Sequence, residues 1–366
     1  METGMKIGIF TFFQTNYGAV LQAYALQKYL QEQPNTEVEI VDFTTARHLE
    51  DHKVVKKLSI KHPIYSAAYY FFTLIHYRQL KRRIIRTREF KNKYFNFTRR
   101  YSSMKDALDN HPIEDIYITG SDQVFNPNAN YVPFYYLDFD KGKGKKVAYA
   151  PSFGISAFND EICAKIQDYV KDFDNLSCRE SAGAEFLSSI VGHDVPVVVD
   201  PVLLHSADEW SKIAVCPKFK GDYIFVYDLN GAENLIKIAK KVQKEINLPI
   251  VCLTSNRLKI YPVDKQIYDA GPAEFVGWIK NASFVVTDSF HGTVFSLIFS
   301  RQFFSFIALE KTSSRLKNIL EKVGLKNRII TIDELNSFDP TSYCNYNGID
   351  LERLSVSSKQ FIQNIL

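Results

Sequence analysis

The sequence predicts an α/β protein made of two doubly wound domains that face a cleft. Short apolar runs alternate with stretches of helical periodicity, as in parallel sheets that helices cover on both faces. This alternation occurs in two successive series, one before and one after about residue 206, and neither contains an internal repeat. A chain of 366 residues is also too long for one ordinary core, which favours two domains.

The first series opens as strand, helix and strand. An apolar run at 6–11 leads through a polar turn and Gly18 into apolar residues at helical spacing, and the next strand is predicted at 37–42. Further strands are predicted at 116–119, 146–150, 176–179 and 197–199, and helices at 161–173 and from Glu180. We therefore assign residues 1–205 to an N-terminal α/β domain, whose loops after the strands are the expected place for a site.

The second series repeats the pattern with other lengths. Strands are predicted at 223–227, 250–253, 284–287 and 303–307, and helices at 233–246, 272–281, 292–299 and 315–323. Residues 206–335 form the predicted C-terminal α/β domain. Residues 336–366 form a tail that ends in an amphipathic helix from Leu351.

A basic segment interrupts the first series. The chain carries a net charge of only +4, but residues 53–100 contain fourteen Lys and Arg and one acid, Glu89. The segment is compatible with helix and is assigned as a basic, aromatic insertion of the N-terminal domain. Two interpretations stay open: a solvated helical surface, or a surface for an anionic membrane. A nucleic-acid partner is not expected, because no nucleic-acid module accompanies the charge.

Composition excludes several classes of protein. With 46% hydrophobic and 23% charged residues, the chain is unlike disordered, collagenous or coiled-coil sequences. The five cysteines form no Cys-x-x-Cys pair, which argues against a zinc knuckle or redox motif and favours a reducing compartment. The N-terminus does not resemble a secretory signal. We expect a cytoplasmic protein, peripheral at the inner membrane surface if the basic segment binds lipid, with no metal site.

The segment 285–294 is the strongest candidate site. An apolar strand runs directly into a helix through Asp288, Ser289, His291, Gly292 and Thr293. A helix start attracts anions, and a histidine there can donate a proton or bind an anion. The alternative is a capping turn, with Asp288 or Ser289 as the cap and His291 merely packed.

Three further turns carry polar side chains. Arg179 ends a short strand and suits a phosphate or carboxylate, or else forms a salt bridge with Glu180 or Asp200. Asp122, Gln123 and Asn126 follow the strand at 116–119; Asp122 can deprotonate a hydroxyl and the amides suit sugar hydroxyls, unless they only form a turn. Asn16 and Gly18 open a helix and either hold a second ligand or make a tight turn.

At these residues the chain resembles the polysaccharide pyruvyl transferase family. The matching segments occur in the family's order: 16–26, 120–124 with Asn126, 177–180, 199–204, 287–293, and Ser314 and Arg315 with the later Arg328. The resemblance implies a glycosyltransferase-B-like fold of two Rossmann-type domains. It also implies transfer of a pyruvyl group from phosphoenolpyruvate, a co-substrate rather than a cofactor, to a sugar of a bacterial surface-polysaccharide precursor. The products are a cyclic ketal and phosphate.

The resemblance also implies roles for single residues. The C-terminal domain would hold the donor through Ser289, Gly292, Thr293 and Arg315, with His291 as general acid, and Arg179 of the N-terminal domain would contact the donor at the cleft. Arg315 would replace an arginine that better-known members have where this chain has Ser289. The N-terminal domain would hold a nucleotide- or lipid-linked sugar acceptor, with Asp122 as base and further contacts from Asn16, Gly18, Gln22, Gln123 and Asn126. Two alternatives stay open: a glycosyltransferase that uses a nucleotide sugar, and a non-catalytic glycan-binding protein.

Overall fold

The computed structural model describes residues 4–14, 16–51, 53–55, 63–127, 132–139, 144–155, 157–229, 231–308, 314–341 and 348–366. The chain divides into two compact units. The first unit comprises Met1–Leu49, Lys91–His205 and Asp350–Leu366, and the second comprises Glu50–Phe90 and Ser206–Ile349. Each unit is built on one parallel sheet.

The strands are β1 (Met5–Phe10), β2 (Thr36–Ile40), β3 (Ile116–Thr119), β4 (Lys145–Ala148), β5 (Asn175–Leu176), β6 (Ile224–Asp228), β7 (Ile250–Thr254), β8 (Lys265–Ile267), β9 (Phe284–Thr287), β10 (Gln302–Ile307) and β11 (Ile329–Thr331). The helices are α1 (Tyr17–Gln31), α2 (Ala46–Asp51), α3 (Pro63–Ile75), α4 (Tyr77–Tyr94), α5 (Met104–Asp109), α6 (Val132–Tyr135), α7 (Asp160–Val170), α8 (Ser181–Val191), α9 (Ala207–Ile213), α10 (Glu233–Ile246), α11 (Pro272–Lys280), α12 (Phe290–Ile298), α13 (Ser314–Lys322) and α14 (Leu351–Ile365). Among the described residues, no helix is long and apolar enough to cross a membrane.

The sheet of the first unit has the strand order β2-β1-β3-β4-β5, and every pair is parallel. The chain leaves β1 towards β2 on one side and returns with β3 on the other, so the strand order reverses between β1 and β3. Buried strands such as β3, with four buried residues, explain the continuous apolar runs of the sequence. The predicted strand at 197–199 is wrong, because only an isolated bridge joins Val197 to Cys178.

The sheet of the second unit has the order β11-β10-β9-β6-β7-β8, again parallel throughout. Its order reverses between β6 and β9. In open α/β sheets, ligands bind outside the carboxyl ends of the strands at such a reversal. Each unit therefore offers one such position, beyond β1 and β3 in the first and beyond β6 and β9 in the second.

The basic segment belongs mainly to the second unit, which differs from the predicted domain boundary. Residues 50–90 group with 206–349, because α4 pairs with residues far along the chain: Arg82 Nε lies 3.0 Å from Asp269 and Arg86 Nε 3.0 Å from Glu274. The tail helix α14 belongs to the first unit, where the hydroxyl of Ser358 accepts the Val199 N–H at 2.9 Å. The division at 205/206 agrees with the predicted one.

Candidate active site

In the first unit, the loops after β1 and β3 are bound to each other. Thr11 follows β1, and its Oγ1 donates to the carbonyl of Ser121 at 2.9 Å. Gly120 lets the loops approach, because a Cβ atom there would lie 2.9 Å from the Cβ of Thr11. The segment predicted to carry polar chemistry after β3 is therefore held at the reversal point of the sheet.

Arg179 is buried beside this loop in an ion pair with Asp200. Its Nη1 donates to Asp200 and lies 3.4 Å from Ser121 Oγ, which itself donates to Asp200 at 3.1 Å. The Arg179 side chain is 3% exposed and that of Asp200 is 0%. Burial alone would lower the pKa of Arg179, but Asp200, Asp122 and Glu180 raise it above its ordinary value. Of the two interpretations of Arg179, the salt bridge to Asp200 is the one seen; contact with a donor anion stays a prediction.

Asp122 has an unusual backbone conformation. Its φ of 73° and ψ of −172° lie in a region that residues other than glycine rarely adopt. The carboxylate accepts the Gln123 N–H at 2.9 Å and lies 3.9 Å from Nη2 of Arg179, with 18% of the side chain exposed. The side chain is thus oriented by this hydrogen bond and partly exposed, and its role as a base for an acceptor hydroxyl stays a prediction.

The predicted acceptor residues mostly stabilise their own loops. Asn16 is the N-cap of α1 and accepts the Gly18 N–H at 2.8 Å. Gln22 is fully buried, and its amide donates to Thr11 Oγ1 at 2.9 Å and to two carbonyls. Asn126 donates to Gln123 Oε1 at 3.1 Å. The structure gives all of these residues a local role, and their contact with an acceptor stays a prediction.

In the second unit, the turn after β9 is a helix cap with a close packing contact. Ser289 is the N-cap of α12, and its Oγ accepts the Gly292 N–H at 3.3 Å. Gly292 packs directly against Thr287 at the end of β9, and a Cβ atom at position 292 would lie only 2.6 Å from Thr287 Oγ1. Thr293 donates to the carbonyl of Ser289 at 3.1 Å and shares a 2.6 Å hydrogen bond with Ser305. The capping alternative for Ser289 is thus seen, and contact of Ser289, Gly292 and Thr293 with a donor stays a prediction.

His291 lies in the first turn of α12, directly after this cap. It is 7% exposed, and its ring lies perpendicular to that of Phe290 with ring centroids 5.2 Å apart. Because Ser289 and Gly292 fix the turn on both sides, the imidazole is held at the start of a buried helix. A helix start carries partial positive charge and favours bound anions.

The turn also connects the two strands at the reversal point of this sheet. The carboxylate of Asp288, after β9, accepts the N–H of Leu229, after β6, at 3.0 Å. A second polar group here is not among the residues predicted from the sequence: Asp228, at the end of β6, accepts hydrogen bonds from Thr254 at 2.7 Å and Tyr261 at 3.3 Å. Asp228 and Thr254 each end an apolar run, and that position was the signal that could have identified them.

Arg315 lies in the first turn of α13, which packs against α12, and is half-buried. The residues before this helix, 309–313, lie outside the described part of the chain. A role for Arg315 as the donor-site cation stays a prediction. Arg328, which follows it in the motif set, is buried, and its Nη2 donates to Gln302 at 3.0 Å.

The sequence profile of the family described as polysaccharide pyruvyl transferase matches residues 16–308. The chain belongs to this family. The match includes Asn16, Asp122, Arg179 and His291 but ends before Arg315. A search of the curated proteins found no match.

Solved structures support the fold of this pyruvyl transferase family member. The MnaA–UDP co-structure from S. aureus is 13% identical, with a TM-score of 0.55 and coverage of 99% of this chain and 98% of that one. UDP-N-acetylglucosamine 2-epimerase from Rickettsia bellii is 11% identical, with a TM-score of 0.50 and coverage of 99% and 96%. The predicted glycosyltransferase-B-like fold of two Rossmann-like domains is therefore confirmed.

Proposed function

We propose that this protein transfers a pyruvyl group from phosphoenolpyruvate to two hydroxyls of a sugar in a surface-polysaccharide precursor. The proposal is supported by the family match and carried by one observation: His291 is held, nearly buried, in the first turn of α12. The second unit would bind the donor and the first unit the acceptor.

The proposed reaction begins with proton transfer to the donor. Protonation of C3 of phosphoenolpyruvate makes C2 electrophilic, and a neutral-range acid such as His291 suits this step. One acceptor oxygen then attacks C2, and the second displaces phosphate, so that both form C–O bonds to C2. Of the two hydroxyl protons, one replaces the proton given by His291 and the other leaves with phosphate. Net, two hydroxyls and phosphoenolpyruvate give a ketal and phosphate.

The donor carries a phosphate and a carboxylate, so its site needs positive charge. The first turn of α12 contributes its helix dipole, and Arg315 is our candidate for a full charge. Ser289 caps this turn, so no cationic side chain occupies the position directly before α12. In the first unit, Asp122 would take a hydroxyl proton, because its carboxylate is fixed in direction and partly exposed.

The test is phosphate release from phosphoenolpyruvate in the presence of candidate sugars and nucleotide sugars, run in D₂O. Deuterium in the product methyl group would report protonation at C3. We expect His291→Ala to lower turnover by at least 100-fold. His193→Ala is the matched control, because His193 is exposed in the first unit and should leave turnover unchanged.

Three outcomes would overturn the proposal. Unchanged turnover in His291→Ala would remove His291 from the chemistry. Consumption of a nucleotide sugar without phosphoenolpyruvate would favour a glycosyltransferase instead, and sugar binding without any turnover would favour a glycan-binding protein. Thermal shifts with phosphoenolpyruvate and with nucleotide sugars would identify the donor that binds.

A further inference from the structure

Helix α3 turns an apolar face to solvent. Ile64, Phe71, Leu74 and Ile75, which we call the α3 stripe, are 87, 60, 75 and 56% exposed. Phe71 and Leu74 follow Ile64 by seven and ten residues, so these three side chains lie on one side of the helix. Single exposed apolar residues are common, but a contiguous apolar face marks an interaction surface.

The opposite face of α3 is fixed to the second unit. Thr73 Oγ1 accepts a hydrogen bond from Arg257 Nη1 at 3.1 Å, and the same guanidinium lies 4.8 Å from the ring centre of Tyr69. Just after the helix, the ring of His76 lies 4.2 Å from that of Tyr268. These contacts determine the rotation of α3, so the stripe faces outward as a consequence of specific packing.

Exposed cations follow the stripe along the chain. Arg78, Lys81 and Arg88 of α4 are exposed, whereas Arg82 and Arg86 pair with acids of the second unit. Residues 53–100 contain a single acid, so the segment has a net charge of +13. An exposed apolar helix face that exposed cations follow along the chain matches the interface of an anionic bilayer, where apolar groups enter the headgroup region and cations meet lipid phosphates.

We propose that the α3 stripe and the neighbouring cations of α4 bind an anionic membrane surface. At 13 residues, α3 is about 20 Å long, shorter than a bilayer's hydrocarbon core, so it would lie in the interface. A second copy of this chain fits less well, because pairing through the same face would bring like charges together. The proposal does not depend on the proposed reaction and would place the enzyme where a lipid-linked acceptor is presented.

The test is co-sedimentation of the full chain with phosphatidylcholine vesicles and with vesicles containing 30% phosphatidylglycerol. We expect binding to the anionic vesicles only, and at least tenfold weaker binding in 0.5 M NaCl. Phe71→Glu with Leu74→Glu should weaken binding at least tenfold, and so should Arg78→Glu with Lys81→Glu. Both double variants should keep the melting temperature, since all four side chains are exposed.

Matched controls lie elsewhere in the second unit. Ile260→Glu changes another exposed apolar residue, and Lys237→Glu with Lys244→Glu changes exposed cations of α10; both should bind like the unmodified chain. Equal binding to both vesicle types, no binding to either, or equal loss in the controls would overturn the proposal. So would a dimer in light scattering that Phe71→Glu dissociates, because the stripe would then bind a second copy.

Discussion

Arg179 and Asp200 form a deeply buried ion pair at the site of the first unit. Removing one partner of such a pair leaves an uncompensated charge in the interior. We therefore expect Asp200→Ala to lower the free energy of unfolding by about 3–5 kcal/mol, and Asp200→Asn to lower it less, because the amide still accepts hydrogen bonds. Urea unfolding would measure both, with exposed Asp194→Ala as the control that should change little.

Gly292 is required by the space between α12 and β9. An alanine Cβ would lie 2.6 Å from Thr287 Oγ1 and 2.9 Å from its Cγ2. Gly292→Ala should therefore cost about 1–3 kcal/mol of stability and reduce turnover, because the first turn that carries His291 must shift.

A double-mutant cycle tests this cause. Thr287→Ala removes Oγ1 and Cγ2, the two atoms closest to the added Cβ. Gly292→Ala should therefore lower the free energy of unfolding less in the Thr287→Ala protein than in the unmodified chain. Equal costs in the two backgrounds would show that the contact with Thr287 is not the reason for the glycine.

Glu114 gives the first unit a pH-dependent stability. Burial, together with Glu39, raises the pKa of this carboxyl to about 7, although Lys6 opposes the shift. Because the folded protein holds this proton more tightly than the unfolded chain, stability falls as pH rises from the ordinary value of 4.5 to about 7. Glu114→Gln should remove this fall and raise the free energy of unfolding at pH 8 by about 1–2 kcal/mol.

The measurement is urea unfolding at pH 5 and pH 8. Glu185→Gln is the control, because Glu185 is exposed. A variant at Glu114 that loses as much stability as the unmodified chain between these pH values would contradict the assignment.

At the scale of elements, the sequence predicts buried strands well and short surface elements poorly. Apolar runs identify β1, β3 and β9 because both faces of those strands are covered. β8 was missed, because its three residues are Lys, Gln and Ile and only Ile267 is buried. The predicted strand at 197–199 is wrong although Val198 and Val199 are buried, because only an isolated bridge at Val197 pairs this run with another segment.

Helix α14 is joined to a distant part of the first unit by a hydrogen bond of one buried serine. Ser358 is fully buried, and its hydroxyl is the acceptor for the N–H of Val199, 159 residues earlier. Ser358→Ala leaves that buried N–H without its acceptor and should cost about 1–3 kcal/mol. Ser357→Ala, one residue earlier and exposed, is the matched control in the same helix. Equal unfolding free energies for the two variants would contradict this role of α14.

For the whole molecule, the types of residue at the site were predictable but their partners were not. A polar residue after an apolar strand identifies Asp122, Arg179 and His291 as candidates. The partners depend on contacts between distant segments, such as that of Thr11 with Ser121, 110 residues later. The same limit explains why the sequence predicts the basic segment in the wrong domain: Arg82 contacts Asp269, which lies 187 residues later in the chain.

This long-range pairing predicts how the second unit can be isolated. A fragment of 206–349 lacks residues 50–90, which include α3 and most of α4. It therefore lacks Arg86, which packs so closely on Gly271 that a Cβ atom on that glycine would lie 2.6 Å from the Cβ of Arg86. It would also lack the ion pairs of α4 with Asp269 and Glu274. We expect this fragment to unfold at a lower urea concentration than one in which residues 50–90 are joined to it by a flexible linker.

The comparison needs a control for the linked segment itself. Arg82→Ala with Arg86→Ala in the linked fragment removes the ion pairs and should move its urea midpoint towards that of 206–349. If the linked and unlinked fragments unfold at the same urea concentration, residues 50–90 do not contribute to the stability of the second unit. We expect the urea midpoint to rise when residues 50–90 are linked and to fall again with the two substitutions. That result would show that residues 50–90 belong to the second unit although they precede it in the chain, because they form ion pairs with residues far along the sequence.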